Sequence, residues 1–258
     1  DQAVARLRRA GHDVVRISLD SASLARDIGG ASVACVFGGD GTMLRAARAL
    51  APLGVALLGV NLGRLGFLTV TAPEEFDATI AEVAAGRYRR EERALLEARL
   101  LREGEERLRA LALNDVVVAR GAPVRSIHVE CDIDGEPFTV YLADGLIVAT
   151  ATGSTAYGFS VGGPLILPHS QAILLVPIAP HLSFPNAVVL DPDQRISLRL
   201  RDEPARLSLD GQEEHDLRAG DRIDVRRSDA VAAFVRTASM KPFLELLKQK
   251  ILKEGGSH

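Results

Sequence analysis

The sequence predicts a Rossmann-like α/β domain, then a β-sandwich-like domain, and last a helix that returns to the first domain. Up to residue 93, apolar runs of strand length alternate with segments of helical period. From Ala94 onward apolar and polar residues alternate, and turn pairs such as Asp134-Gly135 recur. Residues 241–252 carry apolar side chains at helical spacing. We therefore place the domains at 1–93, 94–236 and 237–258.

The first domain is predicted element by element from this alternation. Its helices are expected at 3–10, 43–50 and 74–85, and its strands at 12–19, 32–37 and 54–60. Thr71 and Glu74 match a capping box, with Pro73 in the first turn of the third helix. This order is typical of βαβ units with a parallel sheet.

Composition limits the classes of function. The formal net charge is −3, which gives no reason to expect nucleic acid as a partner. No apolar run has the length of a membrane-spanning helix, and the chain opens without a signal-like segment. Cys35 and Cys131 lie inside strands, without the spacing of a metal or redox pair. We expect a cytoplasmic protein that does not bind a membrane.

Two glycine-rich loops each follow an apolar strand and precede a short helix, one at residues 38–42 and one within the run 144–164. The N–H groups at a helix N-terminus bind anions, so two such loops indicate an enzyme that acts on nucleotides. The sequences of a P-loop, of a dinucleotide fingerprint and of a nucleophile elbow are absent. The six histidines lack the spacing of a metal site.

Asp40 is the candidate catalytic residue in the first loop. It follows a strand and lies between Gly39 and Gly41, which have no Cβ atoms to keep a ligand away. Transfer of a phosphoryl group to an alcohol needs a carboxylate that accepts the hydroxyl proton. The alternative is that Asp40 caps the following helix.

Four motifs, in this order and spacing, resemble the ATP-dependent or polyphosphate-dependent NAD kinases: GGDGT at 38–42, NLGRLGF at 61–67, LNDVV at 113–117, and the run at 144–164. The resemblance extends over nearly the whole chain and includes LDGQ at 209–212. It implies phosphorylation of the 2′-hydroxyl of the adenosine ribose of NAD, giving NADP, with Asp40 as the base. It further implies ATP or polyphosphate as donor, Mg²⁺ or another divalent cation, and a homodimer or homotetramer built through the β domain.

The resemblance also assigns residues that bind NAD. Asn114 and Asp115 match a pair that grips its ribose and amide portions, with Asp115 standing where the family often has Glu; the alternative for this pair is an Asx-type turn. Asp144 matches an acid that holds the nicotinamide ribose or carboxamide, or else forms a turn. Four residues resemble the lining of the adenine and nicotinamide-ribose pockets: Thr155, Ala156, Tyr157 and Ser160.

The remaining assignments lie near the nucleotide. Phe67 is expected to flank the adenine, although a phenylalanine beside a strand also fits a core position. Gly41 belongs to the loop that meets the donor phosphates. Arg45, Arg125 and Gln212 match positions close to bound nucleotide in the family, whereas an arginine on an exposed helix face is by default a solvated charge.

Two departures from the family pattern and two rival classes complete the hypothesis. The family usually begins with a strand and an Asn-Pro-type loop, whereas this sequence starts within the first helix, so the first strand is expected to be missing; Leu142 stands where some members have Arg. A lipid or sugar kinase with a GGDGT loop would explain Asp40 but not Asn114 or Asp115. A non-catalytic NAD(P)-binding regulator would need the pocket but not Asp40.

Overall fold

The computed structural model describes residues 2–21, 23–63, 66–121, 125–201 and 204–255, and of 251–255 the backbone alone. Arg64 and Leu65 of the NLGRLGF motif lie outside the described residues. The chain forms two compact units. Unit 1 comprises Asp1–Glu91 and Ala233–His258, and unit 2 comprises Glu92–Ala232.

Unit 1 begins with alternating helices and strands. They are α1 (Gln2–Arg9), α2 (Leu24–Asp27), β1 (Val33–Gly38), α3 (Asp40–Leu50), β2 (Ala56–Asn61) and α4 (Phe76–Ala84). A 3₁₀ turn, Pro73–Glu75, leads into α4. Apart from the short helix α2, which has no counterpart in the prediction, these are the α/β elements that the sequence predicts, with one exception.

The exception is the strand predicted at 12–19, which is absent. Residues 12–18 form no regular structure, none of residues 12–19 is buried, and Val15 is 54% exposed. A strand needs a neighbouring ladder and a face to bury, and this stretch has neither, so the alternation of its side chains is misleading. The capping box is also displaced by one residue: Glu75, not Glu74, accepts a hydrogen bond from the N–H of Ala72 at 3.0 Å.

The parallel pairing of β1 and β2 positions the first glycine-rich loop. Their register runs from Val33 beside Ala56 to Gly38 beside Asn61. Because parallel strands end at the same edge of a sheet, the loops that follow Gly38 and Asn61 start side by side. Buried side chains of β2 and α4 form the core below them, including Leu58, Val60 and Phe76.

Unit 2 is rich in β-structure. Its elements are β3 (Arg89–Arg102, from Glu92), β4 (Glu105–Ala112), β5 (Asp115–Arg120), β6 (Ile127–Ile133), β7 (Glu136–Ala143), β8 (Gly145–Ala149), α5 (Tyr157–Ser160), β9 (Ile173–Ile178), β10 (Val188–Leu190), β11 (Ile196–Leu200), β12 (Ala205–Leu209), β13 (Glu213–Leu217) and the first part of β14 (Arg222–Arg236).

The strands of unit 2 form a sandwich. One sheet has the order β10-β9-β8-β5-β12-β13, and the other includes the neighbours β14-β11-β6-β7. Side chains of both sheets share one buried cluster, with Val116 and Leu207 from the first and Val129 and Leu198 from the second. The expected β-sandwich-like architecture is therefore present, including the hairpin around Asp134-Gly135.

The C-terminal segment returns to unit 1, as predicted. The end of β14 lies parallel to β2, with Phe234 beside Leu57, and α6 (Phe243–Gly255) follows. Leu246 of α6 is 2% exposed. Within the ranges described, no helix combines the length and apolar character that a membrane span requires.

Both cysteines behave as small apolar residues. Burial raises the pKa of the Cys35 thiol to about 11, and burial together with Asp132 raises that of Cys131 to about 12. Neither thiol is ionised near neutral pH, so neither has the reactivity of a catalytic cysteine.

Candidate active site

Asp40 is the first residue of α3, but it does not cap this helix. Gly39 occupies the N-cap position, and no side chain caps the helix. The Asp40 carboxylate instead accepts hydrogen bonds from the second loop of unit 1. The N–H of Phe67 donates to Oδ2 at 2.8 Å, and the N–H groups of Leu68 and Thr69 donate to Oδ1 at 3.1 Å each.

The two oxygens of Asp40 are unequally occupied. Oδ1 also accepts from the Thr69 hydroxyl at 3.2 Å, so among the described residues it has three donors, whereas Oδ2 has one, the Phe67 N–H. A carboxylate oxygen has two lone pairs. Oδ2 of this half-buried side chain therefore keeps one lone pair for the hydroxyl of a ligand.

The approach of the two loops requires glycine at position 66. A Cβ atom there would lie 1.9 Å from Asp40 Oδ1 and 2.6 Å from Thr69 Oγ1. Gly63, in the same loop, has no atom within 4 Å of the corresponding position. The glycine at 66 thus reflects a close approach to Asp40, which the sequence motif alone does not reveal.

Three other predicted residues of unit 1 have different contacts. Gly41 is exposed in the first turn of α3. Arg45, one turn further along, forms a paired contact with the exposed Asp20 at 3.0 and 3.2 Å. The Phe67 ring lies 5.6 Å from the ring of Phe243, centroid to centroid. An adenine contact of Phe67 stays a prediction, as does a nucleotide contact of Arg45.

In unit 2, Asp210 organises the loop that carries the predicted pair Asn114 and Asp115. Its carboxylate accepts from the N–H groups of Leu113, Asn114 and Asp115 at 3.1, 2.7 and 3.2 Å. Asp210 is 8% exposed and has a left-handed backbone, with φ 53°. The motif LDGQ at 209–212 supported the family resemblance but did not predict this role of Asp210. The signal that could have indicated this role is the acid of the LDGQ motif, Asp210, at a turn.

Asp115 is a buried acid with a raised pKa. It is 4% exposed, and burial followed by the nearby charge of Asp210 raises its pKa to about 7. Asp115 is therefore largely protonated below neutral pH, and it can then donate a hydrogen bond as well as accept one.

The loop after β8 packs directly on Asn114. The Thr150 N–H donates to Asn114 O at 2.9 Å, and the Thr150 hydroxyl donates to Leu113 O at 2.6 Å. A Cβ atom on Gly153 would lie 1.9 Å from Asn114 O. The buried Arg93 donates to Thr152 Oγ1 at 3.3 Å. This end of the β5–β8 pair therefore brings Asn114 and Asp115 together with the second glycine-rich loop.

The predicted residues that follow this loop form its outer part. The Thr155 hydroxyl donates to Thr152 O at 3.0 Å, and Ala156 is the N-cap residue of α5. Tyr157 is 45% exposed, so its ring is accessible to a ligand. Ser160 is exposed, with its hydroxyl 3.5 Å from Ala156 O.

The last three predicted residues occupy different places. Gln212 is exposed in the turn that contains Asp210. Asp144 pairs with Arg120 at 3.2 Å, at the opposite end of the β5–β8 pair from Asp115, roughly 17 Å away for five residues of strand. Arg125 is exposed and precedes Ser126, whose hydroxyl lies 3.4 Å from Asp144. The structure thus does not bring Asp144 and Arg125 to the Asn114 loop of their own chain.

Asp115 generates a prediction about stability. A carboxyl whose pKa is raised in the folded state contributes stability that is fully present below its unfolded pKa of about 4 and is lost as pH rises through about 7. Asp115→Asn removes this dependence. The free energy of unfolding of the variant, relative to that of the wild type, should therefore be higher at pH 8 than at pH 5 by roughly 2 kcal/mol. Urea unfolding of the ligand-free protein at both pH values measures this difference.

The control is Asp193→Asn, because the Asp193 side chain is 92% exposed. The free energy of unfolding of Asp193→Asn, relative to that of the wild type, should be the same at both pH values. If the free energy of unfolding of Asp115→Asn relative to the wild type is also the same at both pH values, Asp115 does not have a raised pKa.

Comparisons with known proteins agree with this arrangement of motifs. Residues 10–88 match the model of the ATP-NAD kinase N-terminal domain, and residues 113–237 match that of the ATP-NAD kinase C-terminal domain. The NAD kinase of Heliobacterium modesticaldum is 42% identical over 84% of this chain and 77% of its own length. That of Thiobacillus denitrificans is 44% identical over 84% and 74%.

Solved structures are similar as well. Yeast NADH kinase in complex with NADH has a TM-score of 0.79 and 30% identity, over 91% of this chain and 70% of that chain. The NAD kinase of Archaeoglobus fulgidus in complex with ATP has a TM-score of 0.77 and 28% identity, over 96% and 92%. With both family domains matched in order, the chain belongs to the NAD kinase family.

Proposed function

We propose that this chain transfers the terminal phosphoryl group of ATP to the 2′-hydroxyl of the adenosine ribose of NAD, giving NADP and ADP. The observation that carries the assignment of the base is the free lone pair on Asp40 Oδ2, in the glycine-rich loop that starts α3. The family and the two domain matches support the reaction class.

The chemistry depends on where Asp40 is held. The ribose oxygen attacks the terminal phosphorus, the bond from that phosphorus to the ADP oxygen breaks, and the hydroxyl proton passes to Oδ2. Three donors on Oδ1 fix the carboxylate, so that Oδ2 keeps one direction for the incoming hydroxyl. Since phosphoryl transfer depends mainly on positioning and charge neutralisation, a fixed base is the contribution we assign to this loop.

The first turn of α3, with Gly41, is proposed to meet the donor phosphates, because its N–H groups lie at a helix N-terminus. Within the described ranges, no three His, Cys, Asp or Glu side chains cluster as a metal site would require. A Mg²⁺ ion bound with ATP would be held mainly by phosphates and water and would neutralise phosphate charge.

Unit 2 is proposed to supply contacts to NAD. Asn114 and the protonated Asp115 offer hydrogen bonds to ribose hydroxyls or the amide, and Tyr157 offers an accessible ring face. Asp210 is added as the residue that positions this pair. Further contacts are proposed for the remaining residues of the family pattern: Arg45, Phe67, Arg125, Asp144, Thr155, Ala156, Ser160 and Gln212.

We further propose a homodimer or homotetramer that forms through the β domain and acts in the cytoplasm. The edge strand β7 exposes Phe138 and Val140, and Phe184 packs edge-on against Phe138 at 5.5 Å. Exposed apolar side chains on an edge strand are commonly covered by another chain.

The first test replaces the proposed base. Asp40→Asn keeps an amide oxygen that accepts from Leu68 and Thr69 but removes the proton acceptor, so kcat should fall by about two to four orders of magnitude. The Kd for NAD should change by less than about three-fold. The assay combines purified protein, NAD, ATP and Mg²⁺ with enzymatic detection of NADP, and calorimetry gives the Kd.

Asp77→Asn is the matched control, since Asp77 is an acid of the same unit whose side chain is 68% exposed. It should retain wild-type turnover. Turnover of Asp40→Asn within about ten-fold of the wild type would rule out the base. NAD binding without any NADP formation by the wild type would instead indicate a regulator, and parallel assays with polyphosphate and with NADH define the donor and the acceptor.

A second test displaces Asp40 without replacing it. Gly66→Ala puts a methyl group where Asp40 Oδ1 lies, so the carboxylate must move, and kcat should fall by about 100-fold. Gly63→Ala, in open space, should stay within about two-fold of the wild type. Equal activities of the two variants would show that the position of Asp40 does not limit turnover.

A further inference from the structure

Phe67 connects the catalytic loop of unit 1 to its C-terminal helix. Its N–H donates to Asp40 Oδ2, the oxygen proposed to take the proton, at 2.8 Å. Its ring packs against Phe243 of α6, with 5.6 Å between centroids and 36° between planes. The Lys250 ammonium lies 3.9 Å from the centre of the same ring. One residue thus contacts the carboxylate through its backbone and α6 through its side chain.

The two α6 residues act from one face of the helix. Phe243 and Lys250 are seven positions apart, which is about two turns, so they project in the same direction. Leu246, between them on this face, is 2% exposed and anchors it. The neighbouring Leu244 is 55% exposed, and Lys248 is exposed. The aromatic and the cationic side chain that contact the Phe67 ring therefore lie on one face of α6.

These contacts restrict how the Phe67 loop can move. A tilted aromatic pair and a cation over a ring face each favour a defined ring position. Because the ring and the N–H belong to the same residue, fixing the ring limits the orientation of the N–H that reaches Oδ2. Phe67 is half-buried and follows the exposed Gly63 and the buried Gly66, and its ring contacts with α6 add to what holds this N–H in place.

We propose that Phe243 and Lys250 are positioning residues for Asp40, acting through Phe67. The effect on turnover rests on the proposed function, in which Asp40 is the base. The effect on the loop does not, because it follows from the contacts alone. The two parts can therefore be tested separately.

The test removes each contact and restores it. Phe243→Ala should lower kcat by about five- to ten-fold, and Lys250→Gln by about three-fold. Phe243→Tyr and Lys250→Arg, which keep the ring and the cation, should stay within about two-fold of the wild type. The matched controls Leu244→Ala and Lys248→Gln, on the exposed side of α6, should do the same.

Amide hydrogen exchange gives a readout besides activity. In Phe243→Ala, the amides of residues 67–69 should exchange about ten-fold faster, with those of β1 and β2 unchanged. In a Phe67→Ala background the ring is gone, so Phe243→Ala should have no further effect on kcat or on exchange. This non-additivity separates positioning through Phe67 from a general loss of stability.

Each outcome decides one part. Unchanged exchange and kcat in both Phe243→Ala and Lys250→Gln overturn the proposal. An increase in kcat also overturns it, because the α6 contacts would then slow turnover. Additive effects in the Phe67→Ala background also overturn it. Faster exchange with normal turnover keeps the α6 contact with the loop but overturns the effect of this contact on turnover. A wild type that forms no NADP from NAD contradicts the proposed function alone.

Discussion

A carboxylate that collects successive backbone N–H groups is the interaction on which the candidate site depends. Asp40 accepts from residues 67–69, and Asp210 accepts from residues 113–115. In each case a single side chain holds a loop distant in sequence, by charge-assisted hydrogen bonds that are stronger than neutral ones. Both loops are therefore fixed before any ligand binds, which lowers the cost of positioning a substrate.

Asp40 and Asp210 differ in the groups that they leave available to a ligand. Asp40 keeps a lone pair on Oδ2, in a half-buried position that a hydroxyl can reach. Asp210 is nearly buried, and its charge next to Asp115 favours a protonated neighbour. A side chain in unit 1 that can accept a hydroxyl and an acid in unit 2 whose pKa is raised to about 7 are thus formed by the same residue type, because burial and partners differ.

Local pattern predicted much of this arrangement and failed where distant contacts decide. The helix of residues 43–50 and the strands around the glycine-rich loops follow from periodicity and glycine, as does the hairpin at Asp134-Gly135. The strand expected at 12–19 was wrong because alternation does not supply a pairing neighbour. Asp40 was recognised, but its hydrogen-bond partners lie 27 to 29 residues away. Asp210 holds a loop 95 residues before it. A local sequence motif therefore does not reveal the contacts of either carboxylate.

A crystal structure of this protein with NAD bound decides whether Asp40 can act as the base. The 2′-oxygen of the adenosine ribose should lie about 2.6–3.2 Å from Asp40 Oδ2, while Oδ1 keeps its contacts with Leu68 and Thr69. A ribose bound out of reach of Asp40, or a carboxylate that turns Oδ2 away from the ribose, would contradict the assignment of Asp40 as the base.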